Sequence, residues 1–178
     1  MSRVKIVIDD NIPAELLPLF REAEKDEFVG NGGGNMTDEE ILDELKIFKS
    51  TYKGRMPRLG IMKIYFLGNL VGFSIPRALV EREFPAHKIV SGKWYRVGTV
   101  FITEQRRGLG IMKEALRLFI TRYKNVMWSC DEKNIASEKT ALSVGMIYSH
   151  TIYLGKDGKW ETEPFRGSLH AIKIFKTS

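Results

Sequence analysis

Apolar and polar positions are ordered from the first residues. Val4, Ile6 and Ile8 interleave with Arg3, Lys5 and Val7, which suits a half-buried strand. Asn11 can cap a helix with Pro13 in its first turn, and Leu16, Leu17, Phe20 and Ala23 form its apolar stripe. Pro18 removes a donor inside that stripe, so a kink or a late helix start is expected there. Thr37 and Glu40 make a capping box ahead of Ile41, Leu42, Leu45 and Phe48 at helical spacing. From Leu59 onwards the pattern turns to strands, with Ile61, Ile64 to Leu67, Leu70, Val71 and Phe73 flanking a hairpin dipeptide, Gly68-Asn69. Residues Arg77 to Ser91 lack periodicity and read as a connector. A strand from Trp94 to Ile102 follows, then a helix from Leu109 to Tyr123, a strand Val126 to Cys130 and a helix Ser137 to Val144. Two last strands, Ile147 to Leu154 and Leu169 to Phe175, are joined by a loop carrying Lys156-Asp157-Gly158-Lys159. The order β-α-α-β-β-β-α-β-α-β-β predicts a mixed α/β or α+β fold with one central sheet. The length of 178 residues suits one domain, taken as residues 1–178.

Composition narrows the function classes. Hydrophobic residues are 43% and charged residues 28%, as in ordinary globular chains, which argues against a disordered tail or a fibre. No apolar run approaches the roughly 20 residues that cross a bilayer, so no membrane partner is expected. The amino terminus carries acids, Asp9 and Asp10, where a signal peptide needs an apolar stretch. Cys130 is the single cysteine, so an intrachain disulfide and a thiolate metal cage are excluded, and a cytoplasmic location is expected. The net charge of +6 favours anionic partners, phosphorylated small molecules as well as nucleic acid.

Chemistry concentrates in Val100-Phe101-Ile102-Thr103-Glu104-Gln105-Arg106-Arg107-Gly108-Leu109-Gly110, where a strand ends, a basic turn follows and an amphipathic helix begins. Such a turn aims consecutive backbone N–H groups outward at the positive end of a helix dipole, an arrangement that suits a pyrophosphate. Gly108 and Gly110 let an anion approach closely, and Arg106 and Arg107 can add charge-assisted hydrogen bonds. It is not a Walker loop, because Lys-Ser/Thr is missing, nor a dinucleotide fingerprint. The glycine-rich Gly30-Asn31-Gly32-Gly33-Gly34-Asn35 has neither a preceding strand nor that Lys-Ser/Thr, and reads as a connector.

The segment Gln105-Arg106-Arg107-Gly108-Leu109-Gly110 resembles the GNAT superfamily of acyl-CoA-dependent N-acyltransferases, whose signature is Gln/Arg-x-x-Gly-x-Gly/Ala. Asn134-Ile135-Ala136-Ser137 and Gly145-Met146 are similar to that family's later Asn-x-x-Ser and Gly-Phe, with Met in place of Phe. The resemblance covers Trp94 to Leu154 and implies a mostly antiparallel mixed sheet of about seven strands flanked by four helices. It implies that Gln105, Arg106, Arg107, Gly108, Leu109 and Gly110 hold the pyrophosphate of acetyl-CoA. It further implies that Val100, Phe101 and Ile102 pair with the pantetheine arm and that Asn134 contacts it. Asn134 as a simple helix cap stays open beside that role. The activity implied is direct transfer of an acetyl group to a primary amine of a small molecule or protein, by a monomer or homodimer. No metal and no nucleic acid are expected.

The family's phenol, seven residues after the Asn, is replaced by Ala141. Tyr148 and Ser137 are therefore the candidate hydroxyl acids, with water as a third option. Glu104 stands close to the motif as a possible base. His87, His150 and His170 are too scattered for a metal, and Cys130 reads as a buried inert thiol. The missing phenol leaves an alternative open, a non-catalytic protein of the same fold that binds CoA or a macromolecule.

Overall fold

The computed structural model describes residues 3–26, 36–49, 59–79, 87–155, 160–161, 163 and 168–178. Its elements run β1 (Val4–Asp9), α1 (Leu16–Glu24), α2 (Asp38–Lys49), β2 (Ile61–Phe66), β3 (Asn69–Ser74), β4 (Arg77–Ala78), β5 (Tyr95–Val97) and β6 (Phe101–Ile102). They continue with α3 (Ile111–Tyr123), β7 (Val126–Asp131), α4 (Ile135–Ser143), β8 (Ile147–Gly155), β9 (Trp160–Glu161) and β10 (Ser168–Lys176). The expected mixed α+β architecture is present, with four α-helices among the described residues.

The single sheet is a correction: hydrogen bonding divides it into β1-β2-β3-β6 and β4-β5-β7-β10-β8-β9. The division falls where two expected continuities break. The strand foreseen from Trp94 to Ile102 is interrupted at Gly98-Thr99-Val100, with Thr99 at φ 46°, and becomes β5 and β6. The connector foreseen from Arg77 begins instead as β4, which prolongs β3 past Ile75-Pro76 because Arg77 pairs with Arg96. The Ile75 N–H donates to the Gly98 carbonyl across the break at 2.9 Å, so the two sheets stay joined. Counting β3/β4 and β5/β6 as interrupted strands leaves eight among the described residues, one more than the seven or so expected, and the two-residue β9 is the addition. Among the described residues all pairings are antiparallel except β5 with β7.

Several local expectations shift for identifiable reasons. Helix α1 starts at Leu16, not after Asn11: Pro18 sits in its first turn, and Asn11 is engaged elsewhere. The Asn11 N–H donates to Asp9 Oδ1 at 2.8 Å, and its carbonyl accepts from Lys63 Nζ at 3.1 Å. The hairpin turns on Leu67-Gly68 (φ 50° and 86°), one residue before Gly68-Asn69, since Phe66 pairs with Asn69. The capping box forms, with the Thr37 N–H donating to Glu40 Oε2 at 2.7 Å and the Glu40 N–H to Thr37 Oγ1 at 3.3 Å. The Gly30–Asn35 loop, the Lys156–Lys159 loop and the side chains of Leu45, Phe48 and His170 lie outside the described residues.

One face of the sheets packs on α3 and α4 through Val97, Ile102, Leu116, Phe119, Trp128 and Phe175. The other face carries α1 and α2 over Phe20, Phe73 and Phe101. Beyond those helices, Leu79, Met127, Ile152 and Ile174 form a third cluster on that same side. Each strand therefore sends alternate residues to the two layers.

Candidate functional site

The interruption at Gly98–Val100 opens a cleft. Strand β5 pairs with β7 only from Tyr95–Val126 to Val97–Trp128, whereas β6 pairs with β3 and leaves β7 behind. Among the described residues no strand pairs with the outer edge of β6, or with the Ser129–Asp131 edge of β7 that faces it. The Thr103 N–H donates to the Val71 carbonyl at 3.0 Å. By the alternation of antiparallel ladders, Phe101 then faces β3 and Ile102 turns its N–H and carbonyl to the cleft. Such an edge suits an extended amide chain. The close approach of β6 depends on Gly72: a Cβ there would stand 2.4 Å from the Phe101 carbonyl oxygen.

At the upper end of β6 lies the basic turn. One turn of 3₁₀ helix, Glu104–Arg106, leads through Arg107 and Gly108 into α3, with Gly108 at φ 77° and Gly110 at φ 72°. Gly110 is the N-cap of α3, and no side chain caps that helix. At α4, by contrast, Asn134 Oδ1 accepts the Ser137 N–H at 3.0 Å. The N–H groups of Gly108, Leu109, Gly110, Ile111, Met112 and Lys113 find no acceptor among the described residues, and the Glu114 N–H closes the first helical bond on the Gly110 carbonyl at 3.1 Å. All residues from Glu104 to Gly110 are exposed, and a Cβ at Gly108 or Gly110 would meet nothing within 4 Å. An outward array of donors at a helix N-terminus results, with room for an anion.

The two arginines of the turn part company. Arg106 and Gln105 stand in solvent. Arg107 folds back: its Nε donates to the Ile102 carbonyl at 2.9 Å, its Nη2 reaches Asp26 Oδ2 at 2.7 Å, and its guanidinium lies 5.3 Å from the Phe101 ring centre. A second tie to the α1 region is the Glu104 N–H donating to Glu22 Oε1 at 2.8 Å. Sequence reasoning missed Glu22 and Asp26, because nothing local marks a contact across 80 residues. It also missed a pocket of about 500 Å³ beside Gly110, lined by Arg3, Phe66, Leu109, Lys113, Glu114 and Arg117.

On the α4 side, Ser137 Oγ accepts from Trp128 Nε1 at 3.0 Å and lies within hydrogen-bond reach of the Cys130 thiol. Burial pushes that thiol above its ordinary pKa. Asn134, half-buried, spends its side-chain oxygen on the helix cap and keeps its NH₂ for other partners. Tyr148 is half-exposed, and its phenol bonds to Thr151 Oγ1 at 2.8 Å. It lies on β8, separated from β7 by β10. Val100, Phe101 and Ile102 thus lie on or beside β6 with the Gln105–Gly110 turn directly after them, Asn134 and Ser137 stand at the start of α4 after β7, and Tyr148 is two strands from β7. Ala141 is fully buried, so a phenol there would have to displace core atoms. His87 and His150 are buried at separate places. Among the described residues no group of three acids, histidines or cysteines could hold a metal, and no helix is long and apolar enough to cross a membrane.

This combination of interrupted sheet, donor-rich turn and helix order is the GNAT acetyltransferase fold. Three solved structures carry the likeness. An acetyltransferase from Salmonella typhimurium that modifies the N-terminal serine of ribosomal protein L7/L12 superposes with a TM-score of 0.65 at 12% identity, covering 99% of this chain and 95% of that one. The microcin C7 self-immunity acetyltransferase MccE, in complex with acetyl-CoA and AMP, gives 0.63 at 12% identity, with 99% and 93% covered. A GNAT-family acetyltransferase from Bacillus anthracis gives 0.63 at 14% identity, with 98% and 94% covered. No family model and no curated protein matches the sequence.

Proposed function

We propose that this protein is a single-domain N-acetyltransferase that moves an acetyl group from acetyl-CoA directly to a primary amine. The observation that carries the reading is the uncapped N-terminus of α3, with Gly108 and Gly110 at positive φ, set at the end of an unpaired strand edge. The donor array of the turn fits a pyrophosphate, and the Ile102 N–H, beside a carbonyl that already accepts from Arg107 Nε, fits a carbonyl of the pantetheine arm. Complexes of proteins with this fold, such as MccE with acetyl-CoA, support the same donor.

In this reading the chain works mainly by positioning. Backbone donors of the turn hold the diphosphate, β6 aligns the arm, and the Asn134 NH₂ holds it from the other wall. The thioester supplies an activated acyl carbon; the neutral amine nitrogen bonds to it, the carbon–sulfur bond breaks, the sulfur leaves as thiolate and the nitrogen releases its surplus proton to water. Ser137, whose Oγ accepts from Trp128 Nε1, is the hydroxyl we assign to give the sulfur its proton, with water as the alternative. Cys130 stays protonated at neutral pH because burial raises its pKa, which favours direct transfer over an acyl-enzyme. A cytoplasmic enzyme, monomeric or homodimeric, fits these parts.

The test is calorimetric titration with CoA and acetyl-CoA, followed by thiol release across a panel of amines. Micromolar-range binding with acetyl transfer to at least one amine is expected. Binding without transfer across a broad panel would give the non-catalytic reading the advantage. Absence of binding at millimolar CoA would remove both.

A further inference from the structure

Beside the donor turn, between α3 and the start of β1, lies the pocket of about 500 Å³. Its walls come from three segments that only the fold brings together. Val4 pairs with Phe66 across β1 and β2, and the Leu67 N–H donates to the Arg3 carbonyl at 3.0 Å, so Arg3 is fastened beside the β2–β3 hairpin. From α3 come Gly110, Lys113 and Arg117, whose spacing of three and four residues sets them on one face of the helix. Lys113 and Arg117 stand about 4.5 and about 10 Å from Gly110 along the axis, and helical side chains lean towards the N-terminus, so both reach back towards the turn. Among the described residues of the lining Glu114 is the one carboxylate, with its Oε2 3.7 Å from Arg117 Nη1. Among the described residues no hydrogen bond or ion pair engages the Arg3 guanidinium or the Lys113 ammonium. Three cations against one carboxylate leave the pocket with an excess of two positive charges.

We propose that this pocket holds a phosphate monoester, namely the one that acetyl-CoA carries on its ribose C3′, and that Lys113, Arg3 and Arg117 thereby select CoA over donors that lack it. The proposal rests on the acetyltransferase reading, which assigns the diphosphate of the donor to the turn. A phosphate monoester carries a charge of about −1.5 to −2 at neutral pH, which answers the excess of the pocket; a single carboxylate answers half of it. Leu109 and Gly110 belong both to the turn and to the pocket lining, so the two sites share a border. In CoA the diphosphate is esterified at ribose C5′ and the monoester at C3′, so one sugar ring separates them. A diphosphate on the Gly108–Gly110 donors therefore brings the monoester to that border, within the swing of the flexible four-carbon Lys113 stem. The arginine forks can then take the remaining phosphate oxygens. Phe66 and the exposed Leu109 add apolar surface to the same pocket, against which a nucleobase can lie.

The experiment uses the full chain at one ionic strength and three probes: CoA, dephospho-CoA, which lacks only the 3′-phosphate, and adenosine 3′-phosphate. Each is titrated by calorimetry into wild type, Lys113→Gln, Lys113→Arg, Arg3→Gln, Arg117→Gln and Arg122→Gln, after thermal melts confirm folding. The wild type should bind CoA about tenfold or more tighter than dephospho-CoA. Lys113→Gln should cut that ratio by about fivefold through weaker CoA binding alone, and Lys113→Arg should keep most of it. Arg3→Gln and Arg117→Gln should each cut it by about two- to threefold. Arg122→Gln removes the same charge about 18 Å away along α3 and should leave the ratio unchanged. Adenosine 3′-phosphate should compete with CoA. Equal affinity of the wild type for CoA and dephospho-CoA, or a ratio that survives both Lys113→Gln and Arg3→Gln, would overturn the assignment and leave the acetyltransferase reading standing. Adenosine 3′-phosphate that binds the CoA-saturated protein, and loses that binding in Lys113→Gln, would make the pocket a separate monoester site and overturn the donor as its source. A wild type that binds neither CoA nor dephospho-CoA would sink the acetyltransferase reading and this assignment with it.

Discussion

Gly72 offers the sharpest test of how the cleft is built. A methyl group added there would lie 2.4 Å from the Phe101 carbonyl oxygen, 2.5 Å from Ile102 Cδ1 and 3.2 Å from Ile102 Cα. The Ile102 methyl can rotate away, but the carbonyl belongs to the backbone. Restoring ordinary contact, 3.4 Å or more, requires β6 to move by about 1 Å. That movement takes the 3.0 Å bond from Thr103 to Val71 past hydrogen-bonding range, together with the Phe101–Phe73 pair. Two or three backbone bonds at about 1 kcal/mol each, plus disturbed packing of Phe101 on Phe73, give a destabilisation of about 2–4 kcal/mol. For a chain of this length the melting temperature should fall by about 5–15 °C. CoA affinity should fall as well, because the displaced strand is the one that offers its edge to the cleft. Gly68→Ala is the control: it has nothing within 4 Å, and only its φ of 86° adds a cost of about 1 kcal/mol. Urea and thermal melts with CoA titrations of both variants decide the matter. A Gly72→Ala protein within about 1 kcal/mol of wild type, with unchanged CoA binding, would refute the account of β6 as a strand held in place by a missing side chain.

Three further outcomes are expected. Gly110→Leu should weaken CoA binding more than about tenfold while Arg106→Ala costs less than about fivefold, because a Cβ fills the donor array whereas Arg106 is one exposed charge; calorimetry giving the reverse order would contradict a backbone cradle. With any acceptor found, Ser137→Ala should lower kcat by up to about 100-fold with CoA affinity retained, and Tyr148→Phe should leave kcat unchanged, since its phenol is bonded to Thr151 two strands from β7; a fall confined to Tyr148→Phe would reverse the assignment. The Lys63 ammonium bonded to Asp9 holds that carboxyl below the usual range, so its stabilisation is present above about pH 4 and lost as the pH falls through the folded value. Asp9→Asn should therefore cost about 1–3 kcal/mol at pH 6, less than a fully buried pair because Asp9 is 43% exposed, and denaturant melts should show the difference narrowing below about pH 4.

The chain's local chemistry is legible wherever one short segment makes its own structure. The Thr37–Glu40 box, the buried stripe of α3 and the Gln105–Gly110 turn depend on periodicity, capping and glycine, all properties of neighbours in sequence. Together with Asn134 they were enough to indicate the GNAT fold. What tertiary structure decided is how distant segments meet. The break at Gly98–Val100 is not written in the hydrophobic pattern from Trp94 to Ile102, which alternates well enough for one strand. It arises because β5 follows β7 while β6 follows β3, and those partners diverge. Arg107 reads locally as a phosphate ligand, yet Asp26 and the Ile102 carbonyl, brought close by the packing of α1, claim its guanidinium. Arg77 and Arg96 are unremarkable in a connector and a strand, and become a pair only through the register of β4 on β5. Spacing along a chain governs capping and periodicity, whereas these contacts are governed by strand register and helix docking, whose partners lie tens of residues away.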